Sequence, residues 1–455
     1  MPSLTTTTTT LILVAASSVL ANTALLNIPT LLQHPYSPQH PLSAHAPWSH
    51  PPHCTTSHRL PSLNQKFCIF TSKTTGPHGL SLILQPQDAA RATEHLDDSP
   101  LDTFLTQAQA EKLFGHGSES PWQVVDMGKE GKGMGVKATR RIKKYETFML
   151  DQAALVIAEN IDEALPPQTV RKMMRIAVER LRVPGVVRGM SKGGYEGGGE
   201  GGGDRGDGEG DVGGKDGDGG GDGGGKDDEG RLEEAIMKTN AFGSTVADVS
   251  ARTLFPDISR INHACNPNSF VMFSRAGVSM AIKAYRDIEE GEEISISYLL
   301  LGIPSAQRAT QLQRWGFTCT CALCSLPAPE KQASDLRRVM IAQSEEKIIA
   351  LAESGNIDEA IALAHEATHL IADEQIHPML TDEYSMLAML YLEKGDRAQA
   401  EVYGRKAWSL LGDLGFLGTG DSMGEFTLDR LLGGIGGLGG DGEGGSGGKW
   451  RRRRE

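Results

Sequence analysis

The sequence predicts an α+β protein with a β-rich middle region and a helical C-terminal region. Around residues 122–159 and 256–324, short apolar runs alternate with glycine-rich or charged turns, which is typical of short strands. From about Asp335 to Gly412 the chain changes to long amphipathic segments with helical spacing. Three cysteines, "CTCALC" at residues 319–324, close the β-rich region.

Composition limits the part of the chain that can pack. The 455 residues suffice for two or three domains, but 55 are glycine, only 5% are aromatic, and the net charge is −13. Between Lys192 and Glu229 there are 12 acidic and 4 basic residues, a local net charge of −8. This segment cannot bury enough apolar surface to offset its ordering entropy. We predict a flexible surface linker, with a docking segment for basic partners as the alternative.

The N-terminal region predicts little packed structure. The stretch "LILVAASSVLANTA" has the length of a signal peptide and small residues near a plausible cleavage point, but it lacks a positive n-region. It is too short to span a bilayer, so secretory targeting and a poorly structured leader both stay open. Residues 30–60 are rich in Pro, His and Ser, and we expect little order there. The terminal "RRRR" is weak evidence for nuclear import or nucleic-acid binding.

The six cysteines fall into two groups. Cys54 and Cys68 would form a disulfide in an exported chain and remain free thiols otherwise. The other group is Cys265 and the C-x-C-x2-C cluster of residues 319–324. Zinc prefers four tetrahedral ligands, and one distant plus three clustered cysteines match that number. Four unpaired thiols are the alternative.

Four motifs occur in a characteristic order: "GKGMGVKATRRIKKYE", "RINHACNPNS", "GEEISISY" and "FTCTCALC". Together they resemble SET-domain lysine methyltransferases over residues 120–326. The helical insertion between the first two motifs, and the helices after the cysteines, are similar to the SET and MYND branch. Residues 160–255 contain no cysteine, so we expect the MYND zinc finger of that branch to be missing. The resemblance implies a knot-like β-clip fold with a zinc-binding post-SET segment.

The resemblance also implies roles for individual residues. It assigns binding of S-adenosylmethionine to Lys132, Gly133, Met134, Gly135, Asn262, His263 and Phe317. It assigns Zn²⁺ to Cys265, Cys319, Cys321 and Cys324. Methyl transfer is an in-line displacement, so the site must align a neutral amine with the methyl group. Two cofactor contacts and one zinc ligand would explain why residues 262–268 are so polar.

Tyr298 is the predicted catalytic residue, because the family's tyrosine at this position lines the lysine channel. Its alternative role is that of a strand-end aromatic packed in the core. Two departures from the family bear on activity: Trp315 stands where many relatives have a second channel tyrosine, and Ile303 where an aromatic is common. Tyr145 occupies a position where relatives often have a turn glycine. We place Trp315 in the substrate channel.

The C-terminal helices contain an internal repeat. "LAESGNIDEAIALAHEA" aligns with "LEKGDRAQAEVYGRKA", which places Gly355 on Gly395 and Ala360 on Ala400. This resembles a short tetratricopeptide array. Such a lobe could cap the substrate cleft or dock a protein partner.

The predicted organisation is therefore a leader (1–26), a poorly ordered region (27–119), a SET domain (120–326) with a disordered insertion (190–230), a helical TPR-like domain (330–413) and a flexible tail (414–455). The resemblance implies methylation of histone or non-histone lysines. Alternatives are an inactive scaffold acting through its helical repeats, and a secreted zinc protein. We expect no membrane span in the mature chain. S-adenosylmethionine and reduced thiolates suit the nucleus or cytoplasm, whereas the leader and early cysteines suit the secretory pathway.

Overall fold

The computed structural model describes residues 45–56, 66–96, 105, 119–128, 133–192, 230–274, 277–415 and 427–428. The predicted leader, nearly all of the Gly/Asp-rich insertion and most of the tail lie outside this part of the chain. The described strands are β1 His53–Thr56, β2 Lys66–Ser72, β3 Leu80–Leu84, β4 Trp122–Asp126, β5 Met134–Ala138, β6 Thr147–Gln152, β7 Leu155–Ala158, β8 Phe242–Val246, β9 Val249–Leu254, β10 Asn262–His263, β11 Ser269–Phe273, β12 Ser279–Ala284 and β13 Glu293–Ile296. The α-helices are α1 Pro86–Ala92, α2 Ile161–Ala164, α3 Pro167–Glu179, α4 Pro184–Arg188, α5 Arg231–Asn240, α6 Ser305–Leu312, α7 Ala328–Glu353, α8 Ile357–Asp373, α9 Leu380–Glu393 and α10 Arg397–Leu414. This mixture confirms the α+β prediction.

The N-terminal region is more ordered than its composition predicts. The expectation of little order over 27–119 is wrong for strands β1, β2 and β3 and for helix α1. β2 (KFCIFTS) and β3 (LSLIL) are nearly continuous apolar runs, and they lie in the interior of a six-stranded sheet. Strands buried on both faces lack the alternation that signals a strand. The prediction of little order therefore came from the surrounding Pro, His and Ser residues, and the two buried strands were not recognised.

The six-stranded sheet joins the N-terminal region to the rest of the molecule. Its strand order is β1-β2-β3-β7-β9-β8, and β3 pairs in parallel with β7. Cys54 and Cys68 lie opposite each other in the antiparallel β1–β2 pair and form a disulfide. Helix α3 begins at Pro167 and buries Val170, Met173, Met174, Ala177 and Val178, the spacing of one helical face. These side chains join the largest hydrophobic core, which spans both regions.

Two smaller sheets contain the sequence motifs of the β-rich region. One has the order β10-β13-β5-β4, in which the two-residue strand β10 pairs in parallel with β13. The other has the order β11-β12-β6. Ile142 and Ile288 form an isolated antiparallel bridge between neighbouring loops. The first of these sheets brings "GMG", "NH" and "GEEISISY" side by side.

The C-terminal helices form two hairpins, α7–α8 and α9–α10. Gly355 and Gly395 each have a φ above +80°, so each supplies the left-handed turn that ends the first helix of its hairpin. A second hydrophobic core joins the three-stranded sheet, through Phe270, Met272 and Ala281, to apolar residues of the helices. The helical region therefore packs directly against the β-rich region. Among the described helices, none has the length and apolar character needed to cross a bilayer.

Candidate active site

A cleft of about 1530 Å³ lies where the β-rich region, the cysteine segment and the helical region meet. Its lining includes seven of the residues assigned to cofactor or substrate: Gly133, Met134, Asn262, His263, Tyr298, Trp315 and Phe317. Cys319 and Cys321 also line it. Lys132 lies outside the described residues. Ligand pockets in proteins are typically about 300–1,000 Å³, so this cleft has room for a cofactor and part of a second molecule.

Asn262 is held by strand pairing and by a glycine. Its partner across the parallel β10–β13 pair is Ser295, and its side-chain Nδ2 donates to Glu293 Oε1 at 3.1 Å. A Cβ built on Gly135 would lie 2.7 Å from Asn262 Nδ2 and 2.5 Å from the Met127 sulfur. A side chain at position 135 would therefore displace Asn262 and Met127, whereas glycine lets the "GMG" strand lie directly against Asn262.

His263 is a neutral imidazole with a polar partner at each of its two ring nitrogens. Its Nδ1 accepts from the backbone N–H of Tyr298 at 3.0 Å, which assigns the proton to Nε2, and Nε2 lies 3.3 Å from Cys265 Sγ. Burial lowers the pKa of His263 to about 4. The ring therefore carries no charge at neutral pH, and both nitrogens serve to position neighbouring groups.

Tyr298 stands at the centre of an aromatic group. Its ring centroid lies 5.3 Å from that of His263, 5.1 Å from that of Trp315 and 6.5 Å from that of Phe317. Its hydroxyl donates to the Ile261 carbonyl at 2.8 Å. Burial, with a contribution from Glu293, raises the pKa of Tyr298 above its usual value, so the phenol stays protonated.

Trp315 and Phe317 form the opposite wall. Trp315 Nε1 donates to the Thr239 carbonyl at the end of α5, at 3.2 Å, and the Arg314 guanidinium lies 4.0 Å from the Trp315 ring centroid. The Trp315 N–H is therefore already paired. Phe317 lines the cleft with 37% of its surface exposed, and its ring centroid lies 6.3 Å from that of His263.

The four predicted zinc ligands come together. The sulfurs of Cys265, Cys319, Cys321 and Cys324 all lie within 4.8 Å of one another. The Cys265 sulfur lies 3.8 Å from that of Cys319 and 3.5 Å from that of Cys324. Four sulfurs bound tetrahedrally at about 2.3 Å from zinc would be about 3.8 Å apart. The cluster therefore fits a tetrahedral metal ion.

The four thiols of the cluster differ in pKa. Hydrogen bonds from Cys265 and the other two thiols hold the pKa of Cys321 well below its usual range. The hydrogen bond from Cys265 likewise contributes most to a pKa of about 7 for Cys324. Hydrogen bonds with Cys319 and the other thiols raise the pKa of Cys265 well above its usual range, and, against the lowering contribution of Cys265, those with Cys321 and Cys324 raise the pKa of Cys319. Zinc binds thiolates, so its binding would release the protons that these two thiols retain.

Asn268 is a structural residue of the site to which the motif assigned no role. It is 2% exposed, and its Nδ2 donates to Glu292 Oε1 and to the Glu293 carbonyl. Its Oδ1 accepts from the backbone N–H of Ser295 at 2.8 Å. In the sequence, Asn268 follows Pro267 and indicates only a turn. The tertiary structure shows that its side chain connects β13 to the 262–268 segment through hydrogen bonds.

Ile303, the second departure from the family, is not among the residues that line the cleft. Ile303 is half-buried, and its carbonyl accepts from Arg308, a guanidinium that is only 2% exposed. Tyr285 lines the cleft, but its ring stacks on Phe270 with centroids 4.5 Å apart. Tyr285 is thus anchored to the core that joins the sheet to the helices.

Comparisons with known proteins match this geometry. A family model for the SET domain matches residues 133–299. The N-lysine methyltransferase SMYD2 of Gallus gallus is 30% identical over 117 residues, 25% of this chain and 26% of the relative. The histone-lysine N-methyltransferase SMYD3 of Homo sapiens is 42% identical over 72 residues, 16% of each. The alignments thus span about a quarter or less of these relatives.

A solved Plasmodium falciparum chain, described as a candidate histone methyltransferase, is 14% identical over 40% of this chain and 96% of that one. Its TM-score of 0.20 is too low to carry an argument. The match of residues 133–299 to the SET domain agrees with the prediction from the motifs. The similarity to SMYD2 and SMYD3 supports the predicted resemblance to the SET and MYND branch.

Proposed function

We propose that this chain is an S-adenosylmethionine-dependent protein-lysine N-methyltransferase. The observation that carries the proposal is the position of the Tyr298 hydroxyl, bonded to the Ile261 carbonyl beside the Asn262–His263 strand. A catalytic tyrosine, a cofactor strand and a zinc ligand are thereby combined within one tightly packed unit. The methyltransferase names of the relatives support the same class of reaction.

The residues of the cleft fit the cofactor. S-adenosylmethionine, when bound, supplies a methyl group on a positively charged sulfonium. Asn262 and His263 would hold it together with the backbone of Gly133 and Met134, and the partly exposed ring of Phe317 suits contact with a flat base. The glutamates Glu292 and Glu293 line the cleft, whereas the neutral His263 adds no positive charge. The lining also contains Asp373, Glu374 and the arginines Arg260, Arg286 and Arg337; Arg286 pairs with Glu292, and Arg337 pairs with Glu374. The carboxylate beside the proposed cofactor strand is therefore Glu293, which accepts from Asn262.

The aromatic group would orient the lysine amine. The protonated Tyr298 hydroxyl cannot serve as a base at neutral pH, so its role is positioning and electrostatic placement of the amine. The aromatic rings of Tyr298 and Trp315 would flank the side chain of the substrate lysine. Trp315 brings no hydroxyl, and its N–H is paired with Thr239, so its contribution is shape and an aromatic face.

Zinc fits the Cys265, Cys319, Cys321 and Cys324 cluster by number, spacing and ligand type. We propose that it fixes the Trp315–Phe317 segment against the β10 strand. Because Cys265 lies two residues after His263, the metal would tie the cofactor strand to the post-SET segment.

The proposed substrates are proteins with an accessible lysine, histone or non-histone, and the helical hairpins are a proposed TPR-like site for a protein partner. We also propose residence in the nucleus or cytoplasm, where S-adenosylmethionine and reduced thiolates coexist. The Cys54–Cys68 disulfide supports the alternative, the secretory pathway. A non-catalytic scaffold is not favoured, because Asn262, His263 and Tyr298 are all present on the same cleft.

Methyl transfer tests the proposal. Zinc-loaded protein is incubated with S-adenosylmethionine carrying a tritiated methyl group and with a mixture of histones and cell extract. We expect labelled protein lysines, and a loss of at least about 100-fold in rate for Tyr298→Phe. Tyr384→Phe, in the helical region, is the matched control. No lysine labelling by folded, zinc-loaded wild type, or equal rates for Tyr298→Phe and wild type, would refute the proposed role.

A further inference from the structure

The two helical hairpins are related by a shift of 40 positions. Gly355 and Gly395 both adopt left-handed turns, and Ala360 and Ala400 are both fully buried. Ile348 of α7 corresponds in the same way to Ala388 of α9, and both are fully buried. The hairpins are therefore equivalent structural units rather than unrelated helix pairs.

In the first unit, the following unit covers the repeated alanine. Ala360 lies in one hydrophobic cluster with Ile348 of its own unit and with Leu387 and Leu390 of α9. The second unit has the corresponding alanine, Ala400, and no further complete hairpin follows it among the described residues. An uncovered face of this kind is the usual weakness of a repeat array, and a terminal cap normally protects it.

Leu428 covers that face. It is 4% exposed and lies in one cluster with Ala388 and Ala400, against the partly buried Tyr391 and Tyr403. Leu428 is 40 positions after Ala388, so it also has the register of a third unit. This finding corrects the expectation of a wholly flexible 414–455 tail at this position. The signal was the short apolar stretch "FTLDRLL" at residues 426–432, which the glycine-rich composition of the tail as a whole hides.

We infer that one face of the α9–α10 hairpin is a docking surface for a leucine-bearing segment. The chain's own segment around Leu428 occupies this face as a partial third repeat. The residues of the face are Ala388, Tyr391, Leu392, Ala400 and Tyr403. Covalent attachment makes this occupancy favourable. A short tether gives an effective concentration of about a millimolar, so a single buried leucine can fill the site in cis although it would bind weakly in trans.

Hydrogen exchange on the full chain tests this inference. Leu428→Ala should make the amides of α10 exchange at least about tenfold faster, because burial of a leucine is lost from that face. Leu336→Ala is the matched control, since Leu336 is 62% exposed on α7; its α10 exchange should stay within about twofold of wild type. A peptide of residues 420–433 added to Leu428→Ala should restore the protection saturably. The same peptide with alanine in place of Leu428 should not.

Wild-type exchange rates for α10 in Leu428→Ala would overturn the inference. A second outcome would also overturn it: the wild type forms a concentration-dependent dimer, and Leu428→Ala leaves the protection of the α10 amides unchanged. A second copy of the chain would then cover the face. If β7 also exchanges faster in the variant, the loss is global, and the peptide decides: restored α10 protection supports the docking surface, and no restoration refutes it.

Discussion

At the scale of single residues, the site depends on a few polar groups whose bonding capacity is fully used. His263 and Tyr298 each bond to backbone atoms of the other's strand region, which fixes both rings. Asn268, which also lines the cleft, is fixed in the same way: its Nδ2 donates to two acceptors and its Oδ1 accepts from one backbone N–H. Removal of a buried group of this kind leaves its partners unpaired, which is costly.

We therefore predict that Asn268→Ala destabilises the protein by about 2–4 kcal/mol, because the Ser295 amide and the Glu293 carbonyl lose their partner. Urea unfolding of zinc-loaded protein measures this. Asn266→Ala, in the same loop, is the control and should change stability by less than about 1 kcal/mol. Equal stability of Asn268→Ala and wild type would show that the β13 connection is held by the strand pairing alone.

At the scale of elements, the post-SET segment, which runs here from the start of α6 at Ser305 to Cys324, is fixed at both ends. The cysteine cluster holds its end, and helix α6 holds its beginning. Asp335 of α7 accepts from Ser305 N at 2.7 Å and from Ser305 Oγ at 2.5 Å, so the helical region secures the N-terminus of α6. The segment with Trp315 and Phe317 lies between these two attachments. The geometry of the cleft therefore depends on the helical region and, under the proposed zinc binding, on the metal.

Loss of one zinc ligand should loosen one of these attachments. We predict that Cys321→Ser lowers the bound zinc below one equivalent and lowers Tm by several degrees, because an alcohol is a poor zinc ligand. Metal analysis and thermal unfolding measure the two effects, with Cys54→Ser, outside the cluster, as the control for zinc content. One full equivalent of zinc in Cys321→Ser would remove Cys321 from the ligand set.

At the scale of the whole molecule, the β-rich and helical regions behave as one packed body, and buried carboxyls make its stability depend on pH. Burial, with Glu345 and Asp382 nearby, raises the pKa of Glu383 on α9 to about 7. One of its oxygens, Oε2, is buried without a hydrogen-bond partner among the described residues. Burial also raises the pKa of Asp151 to about 8, although three backbone N–H groups donate to that carboxylate.

The folded pKa of Glu383 lies above its ordinary value, so folding favours the protonated form. Its contribution to stability is fully present below about pH 4.5 and is lost as pH rises through about 7. We predict that Glu383→Gln is no more stable than wild type at pH 5 but is more stable by on the order of 2 kcal/mol at pH 8. Denaturant unfolding at each pH gives this difference, in which effects of zinc release cancel. A difference that does not vary with pH would contradict the prediction.

Sequence reasoning went furthest where chemistry is concentrated in short motifs. It located the four cysteines and the Asn262, His263 and Tyr298 positions, because each motif fixes spacing over a few residues. It also noted Tyr145 at a position that favours glycine, and Tyr145 has a φ of 65°.

It failed where tertiary contacts override composition. β2 and β3 are buried on both faces and showed no alternation, and Asn268 and Leu428 gained their roles only from partners distant in sequence. The Thr239–Trp315 bond, which crosses 76 positions, had no signal in either local stretch.

The measurement that tests the central claim most directly is a calorimetric titration of zinc-loaded protein with S-adenosylmethionine, beside Asn262→Ala. We predict one saturable site in the wild type and binding at least about tenfold weaker in Asn262→Ala, because the variant loses an amide held at the cofactor strand by Glu293. Leu336→Ala, at an exposed position of α7 outside the cleft, should bind as the wild type does. No detectable binding by folded, zinc-loaded wild type would contradict the claim that this SET domain is a working methyltransferase.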